Sequence, residues 1–290
     1  MVRHSQTAAT VLLLFSLGGI GCSQNLKPSP PQNPNLTPRH EVFVPLQSLS
    51  PSWGQRVRAT ADHPQQARQV ILDSIYANRS LEVALAYGKM YDQQPKSEPR
   101  IANFGHAMAV AEVFAQQRGK ELTYPYARAM QAIQAIVAPE QELPPDQQAQ
   151  AALRQTKIAD AWLAWGIYSL RYTMDYKSVT KIYNNALVLD PKFYEVNYWL
   201  ADMITAPYDK TYFDAHKQEA LQNLTLADNG EPKLHPLVVE CHAFIALGAF
   251  DEKGAIPYLK EAIRLWPNSP RVKTYQKLIA QIEKSDQPKK

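Results

Sequence analysis

The chain has 290 residues, enough for one sizeable core or one extended repeat array, and carries 31 basic against 27 acidic side chains for a net charge of +4. The two signs are interspersed, so no basic run or stripe marks a nucleic-acid surface. Only two cysteines occur, Cys22 and Cys241, which excludes a disulfide-built scaffold.

The first residues read as a targeting segment. Arg3 and His4 form a short polar start, and Ala8 to Ile20 is an apolar run too short to span a bilayer comfortably, which takes about 20 residues. The run ends in GGIGCS, with Cys22 directly after Gly21. Small residues before a cysteine resemble a bacterial lipoprotein signal, with Gly19 standing where that family usually has an aliphatic residue. The resemblance covers residues 1–23. It implies a signal peptide over residues 1–21, cleavage before Cys22, and lipidation of the Cys22 thiol. Acyl chains contribute about 0.8 kcal/mol per buried CH₂, so a multiply acylated Cys22 anchors the chain stably. Ser23–Pro38 holds five prolines and no apolar period. It reads as an extended tether, reaching roughly 50 Å at about 3.1 Å per residue. Residues 22–60 are therefore expected to be tether and irregular lead-in.

From about Pro64 onward apolar residues recur at i, i+3, i+4 and i+7, the helical spacing. Residues 61–158 read as divergent helix pairs: Ser80–Pro95, Arg100–Phe114 with Gly105 at a small position, and Tyr126–Pro139. Pro144–Leu170 reads as one long helix, with Pro145 near its first turn. Three later phrases are alike: Asp175–Pro191, His216–Pro232 and Leu247–Pro267. Each closes on Ala-x-x-x-x-Pro, at Ala186/Pro191, Ala227/Pro232 and Ala262/Pro267, and the prolines lie 41 and 35 residues apart. A period of about 34 residues is that of helix-pair repeats.

The pattern resembles the tetratricopeptide repeat (TPR) family. Trp162 and Gly166 fall on its first-helix positions in the first repeat, followed by Val179, Tyr183, Ala186 and Pro191. Ala201, Ala220, Leu224, Ala227 and Pro232 follow in the second, and Ala243, Ala255, Leu259, Ala262 and Pro267 in the third. In the second repeat Thr205–Ala215 is surplus to the family spacing and is expected to protrude as a loop. Val272–Glu283 reads as a capping helix and residues 285–290 as a tail. The resemblance implies an all-α fold: an antiparallel helix-pair solenoid wound as a right-handed superhelix, with three repeats and a cap over residues 159–284. It also implies a groove lined by the first helix of each pair. Counted from each small residue, its outward positions are Asp160, Leu163, Ile167 and Arg171; then Glu195, Tyr198 and Asp202; then Leu237, Glu240, Phe244 and Leu247. Acids, one arginine and aliphatics suit a partly apolar partner segment and depart from the Lys/Asn clamp of one TPR subgroup.

No catalytic constellation is visible. The histidines show no HExxH or paired metal spacing, and no GxSxG, phosphate loop or dinucleotide fingerprint occurs. Cys241 and His242 are neighbours on a helix, so they point about 100° apart and cannot share one metal. Cys241 sits in an apolar run and reads as a small buried hydrophobe. Pro257 lies two turns into a helical pattern and is expected to bend it. The expectation is a non-enzymatic protein with no metal or cofactor, exported and lipid-anchored at a cell-envelope membrane. It would act there as a scaffold or assembly factor for a protein or peptide partner. The alternative is a lipoprotein that binds glycan or another small ligand through exposed aromatics.

Overall fold

A computed structural model describes residues 49–114, 120–138, 155–173, 176–205, 210–230 and 234–285. The signal segment, Cys22 and the proline tether lie outside the described residues. Twelve α-helices and no strand occur among the described residues: α1 Pro51–Thr60, α2 Pro64–Tyr76, α3 Ser80–Gln93, α4 Glu98–Phe114, α5 Lys120–Val137, α6 Ala159–Thr173, α7 Tyr176–Leu189, α8 Tyr194–Thr205, α9 Lys210–Gly230, α10 His235–Gly248, α11 Glu252–Leu265 and α12 Val272–Ser285.

The helices pair in chain order as α4/α5, α6/α7, α8/α9 and α10/α11, and α12 closes the array against α11. The pairing follows from small residues on one helix meeting large ones on its partner. A Cβ added at Gly166 would overlap the Tyr183 ring, and one at Gly105 would overlap Ile133. Ala201 and Ala243 hold the equivalent small positions in the next two pairs and are fully buried. The second-helix positions Val179/Tyr183/Ala186, Ala220/Leu224/Ala227 and Ala255/Leu259/Ala262 are all buried. Pro191 and Pro267 stand in the turns that end α7 and α11. The chain is thus an all-α helix-pair solenoid, and α12 turns Tyr275, Leu278, Ile279 and Ile282 inward as a cap must.

Four local expectations change. The lead-in is helical from Pro51 to Thr60 instead of irregular through residue 60. Proline suits a helix's first position, which is how Pro51 and Pro64 begin α1 and α2. The single long helix expected over 144–170 does not form, because residues 155–158 leave the helical path. There Thr156 N–H donates to Ile136 O at 2.8 Å, its hydroxyl donates to Glu98 at 2.8 Å, and Ile158 N–H donates back to that hydroxyl at 3.2 Å. The surplus in the second repeat is mostly helix: α9 begins at Lys210 and seats Phe213 in the core against Gly248. The stretch read as helical from Tyr126 begins earlier, because α5 starts at Lys120 and runs through Pro125.

The first two helices do not simply extend the array. α2 packs on α1, α3 and α4, and its Arg68 side chain reaches Asp160 at the start of α6, while α4 is packed by α2, α3, α5 and α6 together. This explains why α4 is buried on every side from Ile101 to Ala111 and shows no polar face.

Candidate binding groove

The face expected to line a groove is formed by α6, α8 and α10. Asp160, Leu163 and Ile167 of α6, Glu195 and Tyr198 of α8, and Leu237 and Glu240 of α10 are all buried. Arg171, Asp202, Phe244 and Leu247 are part-buried. Asp160 and Glu195 are brought together by His106, and Tyr198, Asp202 and Glu240 lie around Arg271, while α2 and α4 of the same chain reach the first two.

Arg68 is the main contact from α2. Its Nε and Nη2 reach the two carboxylate oxygens of Asp160 at 2.8 and 2.9 Å, and Nη1 reaches Asp190 at 2.5 Å. Its guanidinium lies 3.4 Å from the centre of the Phe193 ring. Two carboxylates and one ring face thus satisfy a planar fork, a geometry that fits arginine and not lysine. At the other end of α2, Tyr76 packs edge-on against Trp266 with ring centroids 5.3 Å apart, and the Asn78 amide donates to Asn268 O at 2.9 Å. Trp266 therefore meets the C-terminal end of α2. Between these ends α2 buries Ala67, Val70, Ile71, Leu72 and Ile75. At about 1.5–3 kcal/mol for each large side chain, that burial is worth on the order of 10 kcal/mol before ordering costs.

From α4, His106 is enclosed between two acids: Nε2 lies 3.0 Å from Glu195 and Nδ1 lies 3.5 Å from Asp160. Burial alone would strip its proton, but the Glu195 and Asp160 carboxylates override it and push its pKa up to about 9. Burial would likewise raise Asp160; His106 and Arg68 more than offset that and hold it down at about 2. Glu195 also accepts from the Trp199 indole at 3.1 Å. Further along, Phe114 packs on Trp199, and Arg171 pairs with Glu112 of α4 at 3.0 Å. Arg271, before α12, pairs with Glu240 at 2.8 Å. Burial pushes the Asp202 carboxyl up to about 6, with Glu240 adding and Arg271 opposing.

The balance on this face is acidic. Asp160, Asp190, Glu195, Asp202 and Glu240 stand against Arg68, His106 and Arg271. Glu195 and Glu240 each keep one buried oxygen without a protein donor. The face therefore favours a cationic group. Cys241 is free and buried, 4.0 Å from the Thr205 hydroxyl, and burial holds its thiol well above the usual range. Among the described residues, no His, Cys, Asp or Glu group of three or more is placed to hold a metal, and no helix is long and apolar enough to cross a membrane.

Sequence reasoning missed Arg68, His106, Asp190 and Phe193. A signal existed for two of them. Arg68 lies on the apolar stripe of Val70–Ile75, and His106 interrupts the run Ile101–Phe114. A charge in an apolar stripe needs a partner. No protein-family model matches the chain, and no curated protein matches it.

Proposed function

We propose that this chain is a TPR-type protein, wound right-handed, that works by binding: a scaffold or assembly factor held at a bacterial cell-envelope membrane through acylated Cys22. The observation that supports it most is the fit between repeat pattern and packing. Small positions such as Gly166 meet large ones such as Tyr183, and the second-helix positions of all three repeats fall in the core. Repeats of this kind expose extended faces for partner segments. In this reading residues 23–50 serve as tether, and anchoring raises the partner's effective concentration at the membrane. The partner segment takes the α6/α8/α10 face. The test is crosslinking and pulldown from intact cells, alongside a Cys22→Ala chain. A specific partner and release of the variant from membranes are expected. Wild-type protein without acyl mass on Cys22 would refute the anchor.

A second reading has its own observation. Trp165 stacks on Tyr168 with centroids 5.1 Å apart, and Tyr176, Tyr212 and His216 stack at 4.4 and 4.1 Å, all part-exposed. Such aromatic surfaces suit sugar rings. Tryptophan fluorescence titrated with peptidoglycan fragments decides it: no change rules out glycan binding there.

A further inference from the structure

We propose that Glu195 of α8 and Glu240 of α10 border a binding site for a primary ammonium group, carried by a free alkylamine or by a lysine side chain of a partner segment. The lysine source deepens the reading of the chain as a binder of partner segments and rests on it; the site itself does not.

Each carboxylate is half used. One oxygen of Glu195 meets His106 at 3.0 Å and the Trp199 indole at 3.1 Å, and one oxygen of Glu240 meets Arg271 at 2.8 Å. The second oxygen of each is buried without a protein donor, on residues that are 4% and 3% exposed. A carboxylate oxygen left so is costly unless an N–H reaches it. The two acids lie on one continuous rim. Trp199 packs on Phe114 with ring centroids 6.0 Å apart, and the Arg271 guanidinium lies 5.3 Å from the centre of the same Phe114 ring. Burial first, and then the Glu240 and Glu195 charges, push the Tyr76 hydroxyl up, so Tyr76 stands within electrostatic reach of both acids. Trp266, edge-on to Tyr76, keeps a buried indole N–H without an acceptor.

These surroundings narrow the cation. Arg271 answers both Glu240 and Asp202, so the rim stays acidic. A metal ion needs a fuller ligand set, and among the described residues no His, Cys, Asp or Glu group of three or more is placed to hold one. A primary ammonium carries three N–H donors and is satisfied by a few acceptors. A quaternary ammonium suits aromatic walls but donates nothing, so it leaves both oxygens unanswered. Of Tyr76, Phe114, Trp199 and Trp266, Tyr76 alone is part-exposed, which puts the way in beside its ring.

The test is isothermal titration calorimetry of the full chain with n-butylamine, with tetramethylammonium and with Nα-acetyl-lysine methylamide, repeated on Glu195→Gln and Glu240→Gln. Butylamine is expected to bind wild type about tenfold or more tightly than tetramethylammonium, and each glutamine variant is expected to lose about tenfold or more. Where a variant does not fold, the comparison of butylamine with tetramethylammonium on wild type decides alone. No butylamine binding, equal affinity for tetramethylammonium, or unchanged affinity in both variants overturns the site. Lysine amide bound as tightly as butylamine assigns the ammonium to a partner segment, and butylamine bound without it assigns the ammonium to a free amine. Failure of the amine titrations leaves the scaffold reading to its own pulldown, and an empty pulldown leaves the amine result intact.

Discussion

At the scale of single residues, the repeat pattern is a set of steric requirements. Gly166 has no room for a methyl group because the fully buried Tyr183 ring occupies it. Gly166→Ala should cost about 1–3 kcal/mol, read as a lower denaturant midpoint at unchanged slope. Gly54→Ala is the control: its Cβ would meet only the end of Arg58 at 3.4 Å. That change should be neutral or add about 0.5–1 kcal/mol through helix propensity. His106 gives a pH test. Its folded pKa of about 9 exceeds the ordinary 6.5, so its contribution is complete below pH 6.5 and fades as pH rises through 9. The shift corresponds to at most about 3 kcal/mol. Unfolding midpoints between pH 6 and 10 should fall in wild type and stay flatter in His106→Gln. Parallel curves would show that the Asp160–His106–Glu195 contacts are not linked to folding.

At the scale of elements, what was legible in the sequence was whatever a helix and its neighbour decide locally. The alternation of Ala or Gly with Tyr, Leu and Val located every pair from α6 to α11, because each contact lies within one repeat. Proline misled where it was read as an end. Pro125 lies inside α5, and the segment after Thr205 resumes as helix within a few residues, whereas Pro257 lies inside α11 as its helical pattern implied. The break before α6 was hidden because it depends on Thr156 reaching Ile136 and Glu98, residues far back in the chain. Pro257 is exposed and lacks the N–H that an interior helical residue would donate. Pro257→Ala should therefore stabilise the chain by about 1–3 kcal/mol, seen as a higher unfolding midpoint. The N-terminus of α11 is already well made, with Asp251 accepting from Gly254 N–H at 2.8 Å, so capping cannot account for such a gain.

At the scale of the whole molecule, the ties from α2 and α4 to Asp160, Asp190 and Glu195 were invisible in the sequence. Arg68 meets partners 92 and 122 residues away, and no local period records such a pairing. The result is a solenoid tied to itself, with Arg68 and Tyr76 of α2 reaching its later helices and turns. Breaking a buried pair by removing one member usually costs about 3–5 kcal/mol, because the other charge is left unpaired. Asp160 is the charge that would be left so, at 2% side-chain exposure. The most direct test of the seated helix is a double-mutant cycle on Arg68→Ala and Asp160→Asn, followed by denaturant unfolding. If α2 lies where it is described, each single change is strongly destabilising and the pair couples by about 1.5–3 kcal/mol. If the two effects add to within about 0.5 kcal/mol, Arg68 does not sit on Asp160 and the fastening of α2 to the repeats is wrong.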